Sequence, residues 1–379
     1  MSAAAVAAVA AAGGFEVRAV GSEEELVAWG ALCARGFSHR GGAPTRFYDK
    51  YRVDPTAALA ATRVVAEHSS GRLVGSVRVF ARTWRAGGDA VAVAGLGEVC
   101  SDPDYRGRGI ARLIMDDAVR FCEEDSGAVV SALHAATAVA PLYAQYGYTS
   151  VRIPYAVLRL DGGDGGGDGG AGAGWRSPSG VDYRARELTS TAIAHEWERL
   201  AVLHDAATAR LGVTGTTQRD GRYWATWMPY VTAGALFIVL ETGGAAAEGA
   251  VEAYACIAKK PDGFKLIDFG CSADVDASAV AWLLRFTAAA AIAANAASDP
   301  ASSPLVPPVV LLPAAVPRGL HFDADVADLG DATRDDAGWM LRPLAGPAGR
   351  RADESRVAYT ALVDAAAGGT FLVWQSDSF

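Results

Sequence analysis

The sequence predicts an α+β protein made of two domains that repeat one fold, and three observations support this prediction. The chain has 379 residues, too many for one ordinary domain, and 51% of them are hydrophobic, which is enough to bury two cores. A stretch in which nine of fourteen residues are glycine, residues 161–174, divides the chain. On each side of it the apolar pattern gives several strands, then a turn and a long helix.

The first part of the chain is typical of a mixed sheet with helices packed on it. Ser22 is placed as a helix N-cap with Glu25 three residues later, the spacing of a capping box. The elements expected in chain order are a strand at 15–20, a helix at 22–35, strands at 62–68, 73–84 and 91–101, a helix from residue 110, a strand at 129–136, a short helix ending at Gly147 and a strand at 148–160.

The second part repeats this order loosely. Its expected elements are a strand at 182–187, a helix at 190–211, strands at 235–241, 249–260 and 264–272, a helix at 276–297, a strand at 309–314, a terminal element at 338–344 and an apparent strand at 370–376. The boundaries that follow are a disordered tail at 1–14, a first domain at 15–160, a glycine-rich linker at 161–180 and a second domain at 181–379.

The charge balance and the cysteines argue against several classes of partner. The 34 basic and 43 acidic residues give a formal net charge of −9, which disfavours a broad nucleic-acid-binding face and suits an amine substrate. The five cysteines are scattered, so neither a disulfide framework nor a metal site is expected. The N-terminal stretch lacks the basic region of a signal peptide, and no run of about 20 strongly apolar residues follows, so we expect a cytoplasmic protein without a membrane span.

A turn rich in glycine and arginine, residues 101–111, joins a strand to a helix and carries the clearest chemistry. The first backbone N–H groups of a helix lack intrahelical partners, and the helix dipole adds positive potential there. Gly107 and Gly109 let those amides approach a ligand, while Arg106 and Arg108 add fixed charge, so the turn predicts a pyrophosphate site. The sequence lacks the motifs of a P-loop and of a dinucleotide-binding fold.

The string from Tyr105 to Ala111 resembles motif A of the GNAT superfamily, the Gcn5-related N-acetyltransferases, because Arg106, Gly109 and Ala111 fill its three defined positions. Residues 142–148 resemble motif B, in which a tyrosine lies near the thiol of coenzyme A. The resemblance covers residues 15–160 and implies a mixed, splayed sheet with flanking helices. The tandem arrangement is similar to the enhanced-intracellular-survival type of acetyltransferase and, more distantly, to fungal lysine N-acetyltransferases.

The resemblance implies direct transfer of an acetyl group from acetyl-CoA, the co-substrate, to a primary amine of a small molecule or peptide, without an acyl-enzyme. The strands at 99–101 and 130–135 should splay apart so that the pantetheine arm can bond the backbone of the first. The cofactor-binding residues that follow are Val99, Ser101, Arg106, Gly107, Arg108, Gly109, Ile110 and Ala111. A non-catalytic acyl-CoA-binding sensor or scaffold is the alternative from another class.

The second part departs from the family pattern at the equivalent turn. Residues 273–277, Ala-Asp-Val-Asp-Ala, lack glycine and present two carboxylates, which would repel a pyrophosphate. We therefore expect a degenerate second GNAT-like domain that binds no CoA.

Tyr143 and Glu98 are the candidate catalytic residues. The motif position of Tyr143 implies a phenol near the sulfur, able to protonate the leaving thiolate. Glu98 lies amid apolar residues, where it could accept the ammonium proton or bind the cation, or else be an edge carboxylate facing solvent. His134 is a rival base, although a lone histidine in an apolar strand is more often a core residue.

Two further regions have more than one interpretation. The aromatic, charged run at 219–227 forms either a helix packed on its own sheet or a wall of the amine pocket. The terminal carboxylate of Phe379 is a further candidate base, since in the enhanced-intracellular-survival type the C-terminus reaches into the active site, although most termini fray in solvent.

Overall fold

The computed structural model describes residues 13–38, 41, 43–86, 88–159, 174–243, 249–260, 263–298, 309–320, 336–347, 351–374 and 377. The chain divides into two units. Among the described residues, unit 1 comprises those within 13–151 and 337–364, and unit 2 comprises those within 152–336 and 365–377. The expected tail up to residue 12 and the glycine-rich segment at 160–173 lie outside the described residues.

The described strands and helices are numbered in chain order. The strands are β1 (Phe15–Ala19), β2 (Thr62–Glu67), β3 (Leu73–Ala86), β4 (Asp89–Ser101), β5 (Val130–His134), β6 (Thr149–Ser150), β7 (Tyr155–Arg159), β8 (Gly174–Arg176), β9 (Asp182–Glu187), β10 (Leu236–Thr242), β11 (Val251–Lys260), β12 (Gly263–Cys271), β13 (Val309–Pro313) and β14 (Trp339–Pro343). The helices are α1 (Glu23–Gly36), α2 (Arg46–Val53), α3 (Ile110–Glu124), α4 (Ala140–Ala144), α5 (Ser190–His195), α6 (Trp197–Leu211), α7 (Met228–Val231), α8 (Ala277–Ser298), α9 (Ala315–Leu320) and α10 (Ala352–Ala367).

The sheet of unit 1 has the order β1-β2-β3-β4-β5-β14-β6, in which only the β4–β5 pair of the described strands is parallel. Because side chains alternate along a strand, the sheet contributes side chains to two hydrophobic cores, one on each face. Val65 of β2 packs in the core shared with α3, whereas its neighbours Val64 and Ala66 pack in the core shared with α1 and α2. The helix α1 begins as the sequence predicts, with the Ser22 hydroxyl accepting the Glu25 N–H at 3.3 Å.

The sheet of unit 2 has the order β7-β13-β12-β11-β10-β9-β8 and is built the same way, with β12 and β13 as its parallel pair. The helix α6 packs against β12, and α8 packs against β10 and β11. The stretch Ala277–Ala297 of α8, with mean hydropathy 1.6, is long and apolar enough to cross a membrane by length and composition, and 39% of its tested window is buried. A helix that packs in a core passes the same test, so this is weak evidence for a span.

The structure differs from the expected domain boundaries at two strands. Residues 155–159 were expected in the first domain, but β7 pairs with β13 in the sheet of unit 2. Residues 339–343 were expected in the second domain, but β14 lies between β5 and β6 in the sheet of unit 1. The local apolar pattern identifies both segments as strands. The sheet that each strand joins depends on pairing partners 150 or more residues away in sequence, which the local pattern does not encode.

One expected strand in the second part is absent from the described residues. Residues 371–374 are buried, yet Phe371 makes only an isolated bridge with Thr214 among the described pairings. The apolar run in this segment therefore indicates that its side chains are buried, and it does not indicate pairing in a sheet. The expected helix at 190–211 is present as α5 and α6, which meet at Glu196.

Candidate active site

The strands β4 and β5 part in the middle of the sheet of unit 1. Their parallel ladder runs from Val93–Val130 to Leu96–Leu133, and β4 continues beyond it to Ser101 while paired with β3. A β-bulge lies just past the end of the ladder, where Val77 of β3 faces both Glu98 and Val99. The bulge turns β4 away from β5, and the expected splay is confirmed.

Glu98 sits in the bulge with a positive φ of 57°, and it is the only described residue other than glycine with such a backbone angle. A non-glycine residue in this region costs about 1–2 kcal/mol, so the surrounding contacts must hold it there. The neighbours Val99 and Ser101 are partly buried. Their backbone lies on the part of β4 that has left β5, which is where the sequence predicts that pantetheine binds.

The turn after β4 is fixed by Asp102, a residue that the sequence analysis did not single out. Its buried carboxylate accepts the backbone N–H of Asp104 at 3.1 Å and pairs with the guanidinium groups of Arg35 and Arg72, each at 2.9 Å. Burial alone would raise the pKa of Asp102, but the Asp104 amide and the two arginines together lower it. The Asp-Pro-Asp sequence, in which an aspartate caps a turn two residues on, was the available signal.

The start of α3 is open to a ligand. Gly109 takes the N-cap position with φ 81° and no side-chain cap among the described residues, while Gly107 has φ 78°. A Cβ built on either glycine would meet nothing within 4 Å. Arg106 and Arg108 are exposed beside them, and the Arg108 guanidinium lies 4.8 Å from the centre of the Tyr105 ring. Free amides, a helix dipole and two cations fit a diphosphate.

Tyr143 lies on α4, the short helix that follows β5, and is 8% exposed. Its ring stands edge-on to the ring of Tyr148, with centroids 6.3 Å apart. The other two tyrosines of this segment have structural partners: the Tyr148 hydroxyl lies 2.7 Å from the Ser131 hydroxyl, and the Tyr146 hydroxyl donates to the Arg112 carbonyl at 3.3 Å. Burial raises the pKa of both, that of Tyr146 to about 12. Their expected packing roles are confirmed.

The Glu98 side chain enters a buried cluster of charges on the face of the sheet that α1 and α2 cover. Its carboxylate lies 3.4 Å from the Arg78 Nε and 3.4 Å from the Lys50 Nζ. Arg78 also donates to Asp54 at 2.6 Å, and Asp54 pairs with Arg82 at 3.1 Å. Glu98 is therefore not an edge carboxylate facing solvent. A substrate ammonium would have to compete with two protein cations for its oxygens.

Lys50, Asp54, Arg78 and Arg82 were missed by the sequence analysis, although a signal was present. Arg78 and Arg82 interrupt the apolar strand β3 at positions that face the same side, with Phe80 between them. The Phe80 ring centre lies 3.9 Å from the Arg78 guanidinium and 4.9 Å from the Lys50 Nζ. Buried charges on one strand face require partners, which Glu98 of β4 and Asp54, the residue after α2, supply here.

A family comparison identifies this arrangement. Residues 16–151 match the model of the acetyltransferase (GNAT) domain. Residues 16–151 form a GNAT acetyltransferase domain. A comparison with curated proteins finds no match to this chain.

Solved structures extend the likeness in fold to both units. A GCN5-related N-acetyltransferase from Kribbella flavida matches with a TM-score of 0.53 and 16% identity, over 88% of this chain and 72% of that one. A probable N-acyltransferase from Enterococcus faecalis V583 matches at 0.54 and 17%, over 87% and 73%. N-myristoyltransferase from Saccharomyces cerevisiae, solved with myristoyl-CoA, matches at 0.52 and 11%, over 87% and 79%. At such identities these matches show the fold alone, and the two seven-stranded sheets form a tandem GNAT arrangement.

Three other predictions concern His134, the run at 219–227 and Phe379. His134 is exposed at the end of β5, its ring edge-on to Trp339 at 5.3 Å, so the expectation of a core histidine is wrong. The run at 219–227 packs inside unit 2, where Trp224 and Trp227 are buried, and the packing interpretation is confirmed. Phe379, whose carboxylate was a candidate base, lies outside the described residues. In the part of the chain that is described, no group of His, Cys, Asp and Glu could hold a metal ion.

Proposed function

We propose that unit 1 is an acetyl-CoA-dependent N-acetyltransferase that passes the acetyl group directly to a primary amine of a small molecule or peptide. The observation that supports this most is the parting of β4 from β5 immediately before a helix start without a side-chain cap, flanked by glycines and arginines. An acyl-CoA needs both features at once, a slot for its extended arm and an anion site for its pyrophosphate.

Binding divides between the turn and the strand. The amides of residues 107–111 and the side chains of Arg106 and Arg108 would hold the pyrophosphate by charge-assisted hydrogen bonds. The backbone of Val99 and Ser101 would bond the pantetheine amides as a neighbouring strand would, since β5 no longer occupies that edge. Asp102 would contribute to binding indirectly, because its contacts with Arg35 and Arg72 fix the position of the turn that holds Gly107 and Gly109.

The reaction needs one proton at the leaving sulfur. The amine nitrogen attacks the thioester carbonyl carbon, the C–S bond breaks, and the thiolate takes a proton. Tyr143 is the proposed donor, because it lies on α4, the short helix that follows β5, and a phenol can protonate a thiolate. Glu98 is proposed to shape the charge of the acceptor side through Arg78 and Lys50, and to receive the proton that the substrate ammonium loses before its nitrogen attacks. The proton that the nitrogen loses after the attack restores the Tyr143 phenol.

An amine panel tests the proposal. The protein would be incubated with acetyl-CoA and, in turn, polyamines, amino acids and aminoglycoside-like compounds, with free thiol as the readout. We expect thiol release that depends on at least one amine and a matching gain in the mass of that amine. CoA binding without amine-dependent release from any compound would instead favour the non-catalytic acyl-CoA sensor.

A further inference from the structure

The charge cluster beside the β4 bulge contains one amine, Lys50, to which the proposed transfer gives no role beyond its charge. Asp54 and Glu98 are balanced by Arg78 and Arg82, and Lys50 is the fifth charge. Arginine stays protonated under all ordinary conditions, whereas a lysine can give up its proton when it is buried. Lys50 is therefore the member of the cluster that can become a neutral amine.

The surroundings of the Lys50 ammonium favour loss of that proton. Burial lowers the pKa of Lys50, the charge of Arg78 acts in the same direction, and the carboxylates of Glu98 and Asp54 oppose them without reversing the shift. One fifth of the side chain, 20%, remains accessible. The Glu98 carboxylate, 3.4 Å from the Nζ, is in place to accept the proton.

The position of Lys50 matches the place where the thioester should lie. Its Nζ stands over the Phe80 ring, and Phe80 pairs across the sheet with Gly95 of β4. The ladder between β4 and β5 ends one residue later, at Leu96. The amine therefore stands above the stretch of β4 at which the slot for the pantetheine arm opens.

We propose that Lys50 is an acetylation site of this protein: with acetyl-CoA bound and no acceptor amine present, the Lys50 Nζ takes the acetyl group itself. The inference rests on the proposed function, because it takes the thioester to lie at the bulge. The ammonium gives one proton to Glu98, the neutral nitrogen attacks the carbonyl carbon, and the C–S bond breaks. The thiolate takes the second proton of that nitrogen, and the products are Nζ-acetyl-Lys50 and free CoA thiol, with one proton released to water.

The composition of the chain makes this step easy to follow. It has four lysines, and the other three, Lys259, Lys260 and Lys265, belong to β11 and β12 of unit 2. They report the background of uncatalysed acetylation by acetyl-CoA in the same sample. Lys259 is exposed and is the most sensitive of these internal controls.

The experiment uses the full chain with acetyl-CoA and without an amine, followed by intact mass and peptide mapping over time. We expect one gain of about 42 Da located on Lys50, appearing at least about tenfold faster than at Lys259 because the bound thioester is held next to the amine. Equal rates at Lys50 and Lys259, or no modification of Lys50, would overturn the proposal. K50R, which keeps the positive charge next to Glu98, should lose the slow thiol release that occurs without amine.

Failure of this inference can be told apart from failure of the proposed function. The same preparation would be tested for CoA binding by calorimetry and for thiol release with the amine panel. Amine-dependent release with an unmodified Lys50 rejects the acetylation site and leaves the N-acetyltransferase proposal standing. No CoA binding and no release with any amine rejects both.

Discussion

Units 1 and 2 share a sheet design but differ where the strand before the long helix ends. In unit 1 the turn after β4 holds glycines and arginines, and α3 starts without a side-chain cap among the described residues. In unit 2 the turn after β12 holds Asp274 and Asp276, and the Asp276 carboxylate accepts the Ser278 N–H at 2.9 Å at the start of α8. The anion site at the second helix is thus filled by the chain's own carboxylate.

The buried carboxylates, by contrast, are alike in the two units. Glu98 lies in the β4 bulge, and Asp268 lies beside a bulge of β12, where the register with β11 shifts. Asp268 pairs with Arg219 at 2.6 Å and accepts the Tyr254 hydroxyl at 2.7 Å. Since the unit with the blocked helix start has such a carboxylate too, a carboxylate–arginine pair at this bulge is part of the architecture. The turn is what distinguishes a CoA site.

The short helix after the parallel strand differs as well. In unit 1 it is α4, which carries Tyr143. In unit 2 the helix that follows β13 is α9, with the sequence AVPRGL, and it has no tyrosine. The proposed acid and the proposed anion site therefore occur in the same unit, which is what a single catalytic centre requires.

The largest expected effect concerns the feature that the two units share, the buried carboxylate–arginine pair at the bulge. E98Q removes one of the two carboxylates that pair with the buried Arg78, and D268N removes one of the two that pair with the buried Arg219. Each variant leaves a buried arginine with only part of its compensating charge, so each should lower the free energy of unfolding by about 3 kcal/mol. Chemical denaturation of the two variants beside the parent measures this. If Glu98 served only as a base, E98Q would keep the parent stability and lose turnover alone. D268N should leave the turnover of the folded fraction unchanged.

Local features of this comparison could be predicted from the sequence. The turn at 106–111, its contrast with 273–277 and the Ser22 cap involve neighbours in the chain, where residue type fixes backbone geometry. Even the parting of β4 and β5 followed from the family resemblance and is confirmed.

The features that could not be predicted depend on distant pairing. Lys50 meets Glu98 across 48 residues, and Arg35 and Arg72 converge on Asp102 from an α-helix and a strand start. Nothing in the spacing of these residues specifies the contact. The same limit applies to β7 and β14. The apolar pattern identifies both as strands but does not specify the sheet that each one joins.

The second-largest expected effect tests Tyr143, the proposed acid, which has no counterpart on α9 of unit 2. Y143F removes the phenol proton while keeping the ring, so kcat should fall by about 100-fold with little change in KM for acetyl-CoA. The matched control is Y148F, which removes the neighbouring hydroxyl that contacts Ser131. It should cost about 1 kcal/mol of stability and leave kcat near the parent value. Equal losses of kcat in both variants would argue against a special role for Tyr143.

The third expected effect tests the turn itself. Charge-assisted hydrogen bonds contribute about 1.5–3 kcal/mol each, so R106A/R108A should raise KM for acetyl-CoA at least about tenfold. The control in the other unit is D274A, which changes an exposed charge in the equivalent turn and should leave KM unchanged. Calorimetry should find one CoA per chain. A second site, or parent-like affinity in the arginine variant, would contradict the assignment of the anion site to unit 1.

The smallest expected effect concerns the carboxylate that blocks the second helix start. D276A should destabilise unit 2 by about 1 kcal/mol, the usual cost of losing an aspartate cap. The Ser278 hydroxyl and amide lower the pKa of Asp276, so its contribution is fully present above the usual aspartate pKa and is lost as the pH falls through the lowered value. The stability gap between parent and D276A should therefore be complete at pH 7 and close below about pH 4. A gap that persists in acid would mean that hydrogen bonding by the neutral carboxyl is enough to stabilise the helix start.

Because D276A still lacks glycine and arginine in this turn, its CoA stoichiometry should stay at one. A gain of a second CoA would show that Asp276 alone had closed the site.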